Sequence, residues 1–195
     1  VVVAGGRDPQ APGDQLAPVG VIAGGGARIR IDGAALRALG QHADPSVALS
    51  GQVGSQVELE VGRRWLLANV RNLKMADGDG SDVVNAEIDF LGEGDEHEQS
   101  GKLVNFRRGV TCYPMPGNRV FPVTGDDLKQ MFAADERAHI EIGTVYPTKD
   151  VRGALYIDAM LGKHFALLGS TGTGKSTSAA LIMHRICDMA PEGHI

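Results

Sequence analysis

Between Ala17 and Val123 the apolar residues fall in short runs broken by turn residues. Val19–Ala23, Ala27–Ile31, Gln52–Val61, Trp65–Leu73, Val83–Leu91, Gly101–Thr111 and Arg119–Val123 each read as a strand. No helical period separates them, so residues 17–124 predict a small antiparallel β-barrel or sandwich. Gly24-Gly25-Gly26 has neither dinucleotide-loop spacing nor a following helix, and predicts a hairpin turn. The polar stretch Gly92–Gly101 (GEGDEHEQSG) predicts a mobile, solvated loop between two strands.

The pattern changes at Gly125. Asp126 and Asp127 precede Leu128, Met131 and Phe132, which predicts a short linker helix within 125–137. From 138 onward the chain reads as the beginning of an α/β domain. Ile140–Val145 and Ala154–Ile157 are strand candidates, and the apolar run Phe165–Leu168 suits a buried parallel strand. Ser178–Ala190 carries apolar residues at helical spacing, with Pro191 as its stop and Gly193-His194-Ile195 as the start of another strand. A strand–loop–helix unit cannot bury itself, so 138–195 is expected to be the front part of a larger domain. Residues 1–16, rich in Pro and Gly, read as a tail.

Composition is that of a globular chain, with 43% hydrophobic and 22% charged residues. The charge distribution changes the picture more. Residues 77–98 hold nine acids and no Lys or Arg. Such a run repels nucleic-acid phosphate, so it is expected to face away from any bound DNA. The basic pairs Arg63-Arg64 and Arg107-Arg108 read as solvated strand edges, or else as DNA or subunit contacts. Cys112 and Cys187 have no metal-type spacing and are expected to be buried thiols in a reducing cytoplasm. No apolar run is long enough to span a bilayer, and no membrane association is expected.

One motif carries chemistry. Gly169-Ser170-Thr171-Gly172-Thr173-Gly174-Lys175-Ser176 matches G-x-x-x-x-G-K-[ST], between an apolar run and an amphipathic helix. A triphosphate must exchange its hydration for inward-pointing backbone N–H groups, which a Gly-rich loop can supply. Gly169, Gly172 and Gly174 permit the required backbone angles and close approach. A helix starting near Lys175 directs its positive dipole end at the phosphates, and Lys175 adds a mobile charge. The Ser176 hydroxyl is the Mg²⁺ ligand candidate, with Thr177 beside it. ATP with Mg²⁺ is therefore the expected ligand. Hydrolysis also needs an acidic residue on the metal or water and an arginine at the transition state. Asp188 and Glu192 are not suitable, and Asp150 and Asp158 read as turn and helix-start residues. Apart from Lys175, no catalytic residue is identifiable.

A barrel followed by this motif resembles the HerA family of bacterial and archaeal ATPases, whose N-terminal HAS barrel is similar to that of ATP synthase subunits. The resemblance lies in Pro18–Ile22 (PVGVI), Tyr113–Val123 (YPMPGNRVFPV), IEIGTVYP from Ile140, the Leu155–Asp158 step, and HFALLGSTGTGKST. It implies a RecA-like motor domain, a homohexameric ring, and ATP-driven translocation on double-stranded DNA. It also implies a partner nuclease, or another effector in antiviral defence. Two other readings remain open. One is a nucleotide-dependent ring scaffold that organises a partner protein; the other is a rotary or small-molecule P-loop enzyme.

Overall fold

The computed structural model describes residues 15–76 and 82–189. Most of the tail, part of the acidic run, and the strand expected at 193–195 lie outside the described residues. The chain divides into two compact units, residues 1–131 and 132–195.

In the first unit, β1 (Ala17–Ala23) and β2 (Gly26–Asp32) form a hairpin. Ala23 faces Gly26 across its turn, which is the turn expected of the triple glycine. β3 (Gln56–Val61), β4 (Arg64–Met75), β5 (Val83–Glu96), β6 (Leu103–Arg108) and β7 (Arg119–Pro122) complete the set. The sheet runs β2-β1-β7-β3-β4-β5-β6, and β2 also pairs with β5. Six strands thus close into an antiparallel barrel, and β6 lies outside the ring. Closure leaves those six strands without the exposed edge of an open sheet.

The long strand β5 makes this possible by serving two partners on one edge. Val83–Asp89 pair with β2, and Gly92–Glu96 pair with β6. β4 runs along the other edge, from Arg64 opposite Asp95 to Met75 opposite Val84.

Side chains alternate across a strand, and β4 places both sets to use. Leu66, Ala68 and Val70 enter the barrel with Ile29, Ile31, Val57, Leu59, Ile88 and Val120. Trp65 and Leu67 point the other way, into a second cluster with Leu103 of β6 and Phe121 of β7. The Trp65 indole donates to the Gly101 carbonyl at 2.9 Å. Two cores on one strand explain why Trp65–Ala68 reads as a continuous apolar run.

Three expectations need correction in this unit. Helices α1 (Gly33–Leu39) and α2 (Pro45–Ala48) stand between β2 and β3, where only strands were expected. Both announce themselves by caps. Asp32 accepts from the Ala34 and Ala35 amides at 2.7 and 3.2 Å, and Asp44 accepts from Ser46 at 2.8 Å, ahead of Pro45 at the first turn. Their apolar stripes are too short to show a period.

Second, Gly92–Glu96 belongs to β5 and not to a solvated loop. A Cβ at Gly92 would lie 2.2 Å from the Arg107 carbonyl oxygen, and one at Gly94 2.6 Å from that of Val104. These glycines let β6 approach, so their turn-like composition serves strand packing. Third, Cys112 is exposed. It follows β6, and its amide is committed to Glu93.

Helix α3 (Gly125–Phe132) closes the unit. Thr124 and Asp127 cap it reciprocally. The Thr124 amide donates to Asp127 Oδ2 at 2.9 Å, and the Asp127 amide donates to Thr124 Oγ1 at 3.4 Å.

The second unit holds an antiparallel pair, β8 (His139–Thr144) and β9 (Arg152–Tyr156), then α4 (Ile157–Leu161) and α5 (Lys175–Met189). Ile182 and Ile186 of α5 pack with Ile140 and Ile157. Asp158 lies in the first turn of α4, as expected. Phe165–Leu168 is not a strand: these residues are exposed and carry no ladder. A strand exists only through a neighbour, and among the described residues β8 and β9 pair solely with each other. A parallel α/β sheet is therefore not formed among the described residues. Cys187 is also exposed, one position past the buried Ile186 on α5.

Candidate functional site

The motif residues form an irregular loop over Gly169–Gly174 that passes directly into α5 at Lys175. Gly172 and Gly174 have φ of +84° and +83°, the left-handed region. A Cβ at either position would meet nothing within 4 Å. The backbone angle is what selects glycine there, since side-chain-bearing residues rarely adopt it. Gly169 is different: a Cβ would fall 2.7 Å from Thr173 Oγ1 and 3.6 Å from the Lys175 stem.

Inside the loop, donors converge on the Ser170 carbonyl. Thr173 reaches it with Oγ1 at 2.8 Å and with its amide at 3.4 Å, and Lys175 reaches it with Nζ. Lys175 is thus half-buried and folded back on its own loop, whereas Thr171, Ser176 and Thr177 are exposed. Ser176 and Thr177 occupy the first turn of α5, whose early amides precede the first i→i−4 bond, from Ser178 to Gly174 at 2.9 Å.

The remaining sequence candidates sit apart from this loop in chemistry. Arg63 pairs with Glu98 at 2.9 Å and Arg64 with Glu93 at 2.8 Å, while Arg107 and Arg108 are exposed on β6. Among the described residues, no group of three or more His, Cys, Asp or Glu could hold a metal ion.

The acidic run is more structured than its composition suggested. Arg28 and Arg71 each lie 3.4 Å from Glu87, Arg71 lies 3.5 Å from Asp89, and Arg37 pairs with Asp82. Cross-strand partners on β2 and β4, and on α1, therefore neutralise much of it. Sequence distance hid this, because the partners are 16 to 59 residues away. Glu93 is buried. Burial opposes its ionisation, but the Thr111 hydroxyl and amide, the Cys112 amide and the Arg64 charge outweigh that and hold its pKa at about 2.

A glycine loop with two left-handed residues, a lysine and a hydroxyl at the head of a helix defines the P-loop class of phosphate-binding proteins. Residues 140–195 match the family model for the central domain of helicase HerA. The chain is 32% identical over 111 residues to the DNA double-strand break repair helicase HerA of Pyrococcus furiosus, covering 57% of this chain and 18% of that protein. It is 29% identical over 73 residues to a probable helicase of Methanocaldococcus jannaschii, covering 37% of this chain and 14% of that one. Residues 140–195 are thus similar to the central domain of the HerA family of P-loop ATPases. The matched stretches span less than a fifth of either relative.

Proposed function

We propose that this chain is the ATP-binding part of a ring-forming, ATP-driven translocase on double-stranded DNA. The observation that carries the reading is the loop at Gly169–Gly174, left-handed at Gly172 and Gly174, set at the head of α5 within the HerA-matched segment. In this reading Gly169, Ser170, Thr171, Gly172, Thr173 and Gly174 line the phosphates with backbone amides. Lys175 leaves the Ser170 carbonyl for the β- and γ-phosphates, and the dipole of α5 adds to its charge. The Ser176 hydroxyl takes the Mg²⁺, with Thr177 next to it. The residues fit that ligand set: hard hydroxyl oxygen for the metal and N–H donors for the anion. The bound Mg²⁺ would supply charge neutralisation at the phosphates.

The two P-loop relatives are named as helicases, one of them in DNA double-strand break repair, which supports DNA as the track. A homohexameric ring, a cytoplasmic setting, and a nuclease or defence effector as partner belong to the same proposal. Residues 17–124 are then the barrel module, 125–137 the linker, and 138–195 the start of a RecA-like motor domain. Among the described residues, no helix is long and apolar enough to cross a membrane.

The test is ATP hydrolysis by the full-length protein with and without double-stranded DNA. DNA should stimulate turnover, and Lys175→Ala should reduce it at least a hundredfold while the protein stays folded. Turnover that ignores DNA would favour a ring scaffold instead, and turnover that survives Lys175→Ala would remove the loop from the reaction.

A further inference from the structure

Three donors meet at one acceptor in the phosphate loop, and they are not equivalent. Lys175 Nζ rests on the Ser170 carbonyl, and in the P-loop reading it would leave when an anion recruits it. Thr173 Oγ1, at 2.8 Å from the same oxygen, is on a short side chain and has no reason to leave. Between these residues lie two left-handed glycines, so the segment has more backbone freedom to lose on ordering than one without them. Ordering such a segment costs free energy that must come out of ligand binding unless the loop is already set.

A second feature points to the same hydroxyl. A Cβ at Gly169 would come 2.7 Å from Thr173 Oγ1, closer than real Cβ contacts. Gly169 has no left-handed φ to require glycine. Its missing side chain makes room for the Thr173 hydroxyl.

We infer that Thr173 is a positioning residue. Its hydroxyl clasps the Ser170 carbonyl, keeps the loop in its phosphate-ready form after Lys175 departs, and is the reason residue 169 is glycine. This rests on the P-loop reading above. It assigns Thr173 no contact with the reacting atoms; the residue acts through Ser170.

The experiment is calorimetric titration of the full-length protein with ADP and Mg²⁺. Thr173→Val keeps the shape and loses the donor, and should weaken ADP binding about tenfold, the scale of one lost hydrogen bond. Thr173→Ser should bind within about twofold of the natural protein. Gly169→Ala should weaken binding by a similar factor to Thr173→Val. The double variant should be hardly weaker than either single one, because both remove the same clasp. Val binding like the natural protein, Ser behaving like Val, or losses that multiply would each overturn the inference. Lys175→Ala serves as the independent arm. If it weakens ADP binding while Thr173→Val does not, the clasp is wrong and the phosphate site stands. If it leaves ADP binding unchanged, the phosphate site itself is wrong, and the clasp falls with it.

Discussion

Arg64 Nη1 lies 2.8 Å from Glu93 Oε1, across the antiparallel pair β4 and β5. The carboxylate also accepts from Thr111 and Cys112, which ties the segment after β6 to the barrel wall. Its pKa, held at about 2, lies below the ordinary value of 4.5. A depressed carboxylate contributes fully above its ordinary value and loses that contribution as pH falls through its folded value. The Glu93 contribution should therefore be complete above about pH 4.5 and fade toward about pH 2. Glu93→Gln should cost about 1–3 kcal/mol at neutral pH, since Arg64 and two amides lose a charged partner. Urea unfolding at pH 7 and pH 3 checks this. The variant should differ less from the natural protein at pH 3, and an equal deficit at both would refute it.

Gly92→Ala should be costly for a different reason. The added carbon would lie 2.2 Å from backbone, the Arg107 carbonyl, which has no free rotamer to yield. β6 must shift, at about 2 kcal/mol or more. Hydrogen exchange should speed up in Leu103–Arg108 ahead of the barrel strands. Gly143→Ala, with open space around its Cβ and no left-handed φ, is the control and should stay within about 0.5 kcal/mol. Similar costs at both positions would show that the close approach of β6 is not what requires glycine.

The barrel strands were legible because one face of each is buried, and burial on one face writes a period of two. Where both faces are buried, as at Trp65–Ala68, the run was still apolar enough to be read as strand. What failed was anything decided by distant partners. Gly92-Glu93-Gly94 looks like a loop until β6 arrives to use the glycines and Arg64 to use the carboxylate. Phe165–Leu168 is apolar enough for a strand, but apolarity does not supply a ladder. The helices at 33–39 and 45–48 were missed even though Asp32, Asp44 and Pro45 announce them, because seven and four residues cannot display a helical stripe. The Gly169–Ser176 loop is the opposite case. Its glycines, lysine and hydroxyls are contiguous, so the expectation for it needed no knowledge of the fold. The clasp by Thr173 could not, because the motif leaves that position open.

Asp44 joins two elements that are far apart in sequence. One carboxylate oxygen caps α2 at Ser46, and the other accepts from the Gly125 amide at 3.1 Å, at the start of α3. Asp44→Ala should cost about 1–2 kcal/mol, at the upper end for a cap because two amides lose their acceptor. Asp44→Asn should recover part of it. Thermal unfolding of the three proteins checks the order, and an Ala variant as stable as the natural one would count against the bridge.

The arginine-matched strip on β2, β4 and β5 gives a sharper test of where DNA would run in the proposed translocase. Glu87 sits between Arg28 and Arg71, and all three side chains are at least about a third exposed. Exposed pairs contribute about 0–1 kcal/mol, so Glu87→Gln should hardly change stability. It would, however, release two guanidinium groups that now answer a carboxylate. Screening confines their reach to about 10 Å at ordinary salt, so the release matters only to a polyanion passing that close. If the strip faces away from the DNA path, Glu87→Gln should leave DNA-stimulated ATPase and its salt dependence within about twofold of the natural protein. The same holds for Glu96→Lys with Glu98→Lys at the far end of the run, where Glu98 already engages Arg63. DNA running along the strip would show itself as tighter binding and a steeper fall of affinity with salt, because each newly freed cation adds a phosphate contact and a released counterion. A gain of fivefold or more in DNA affinity for either variant would place the strip beside the DNA and reverse the orientation expected from its acids.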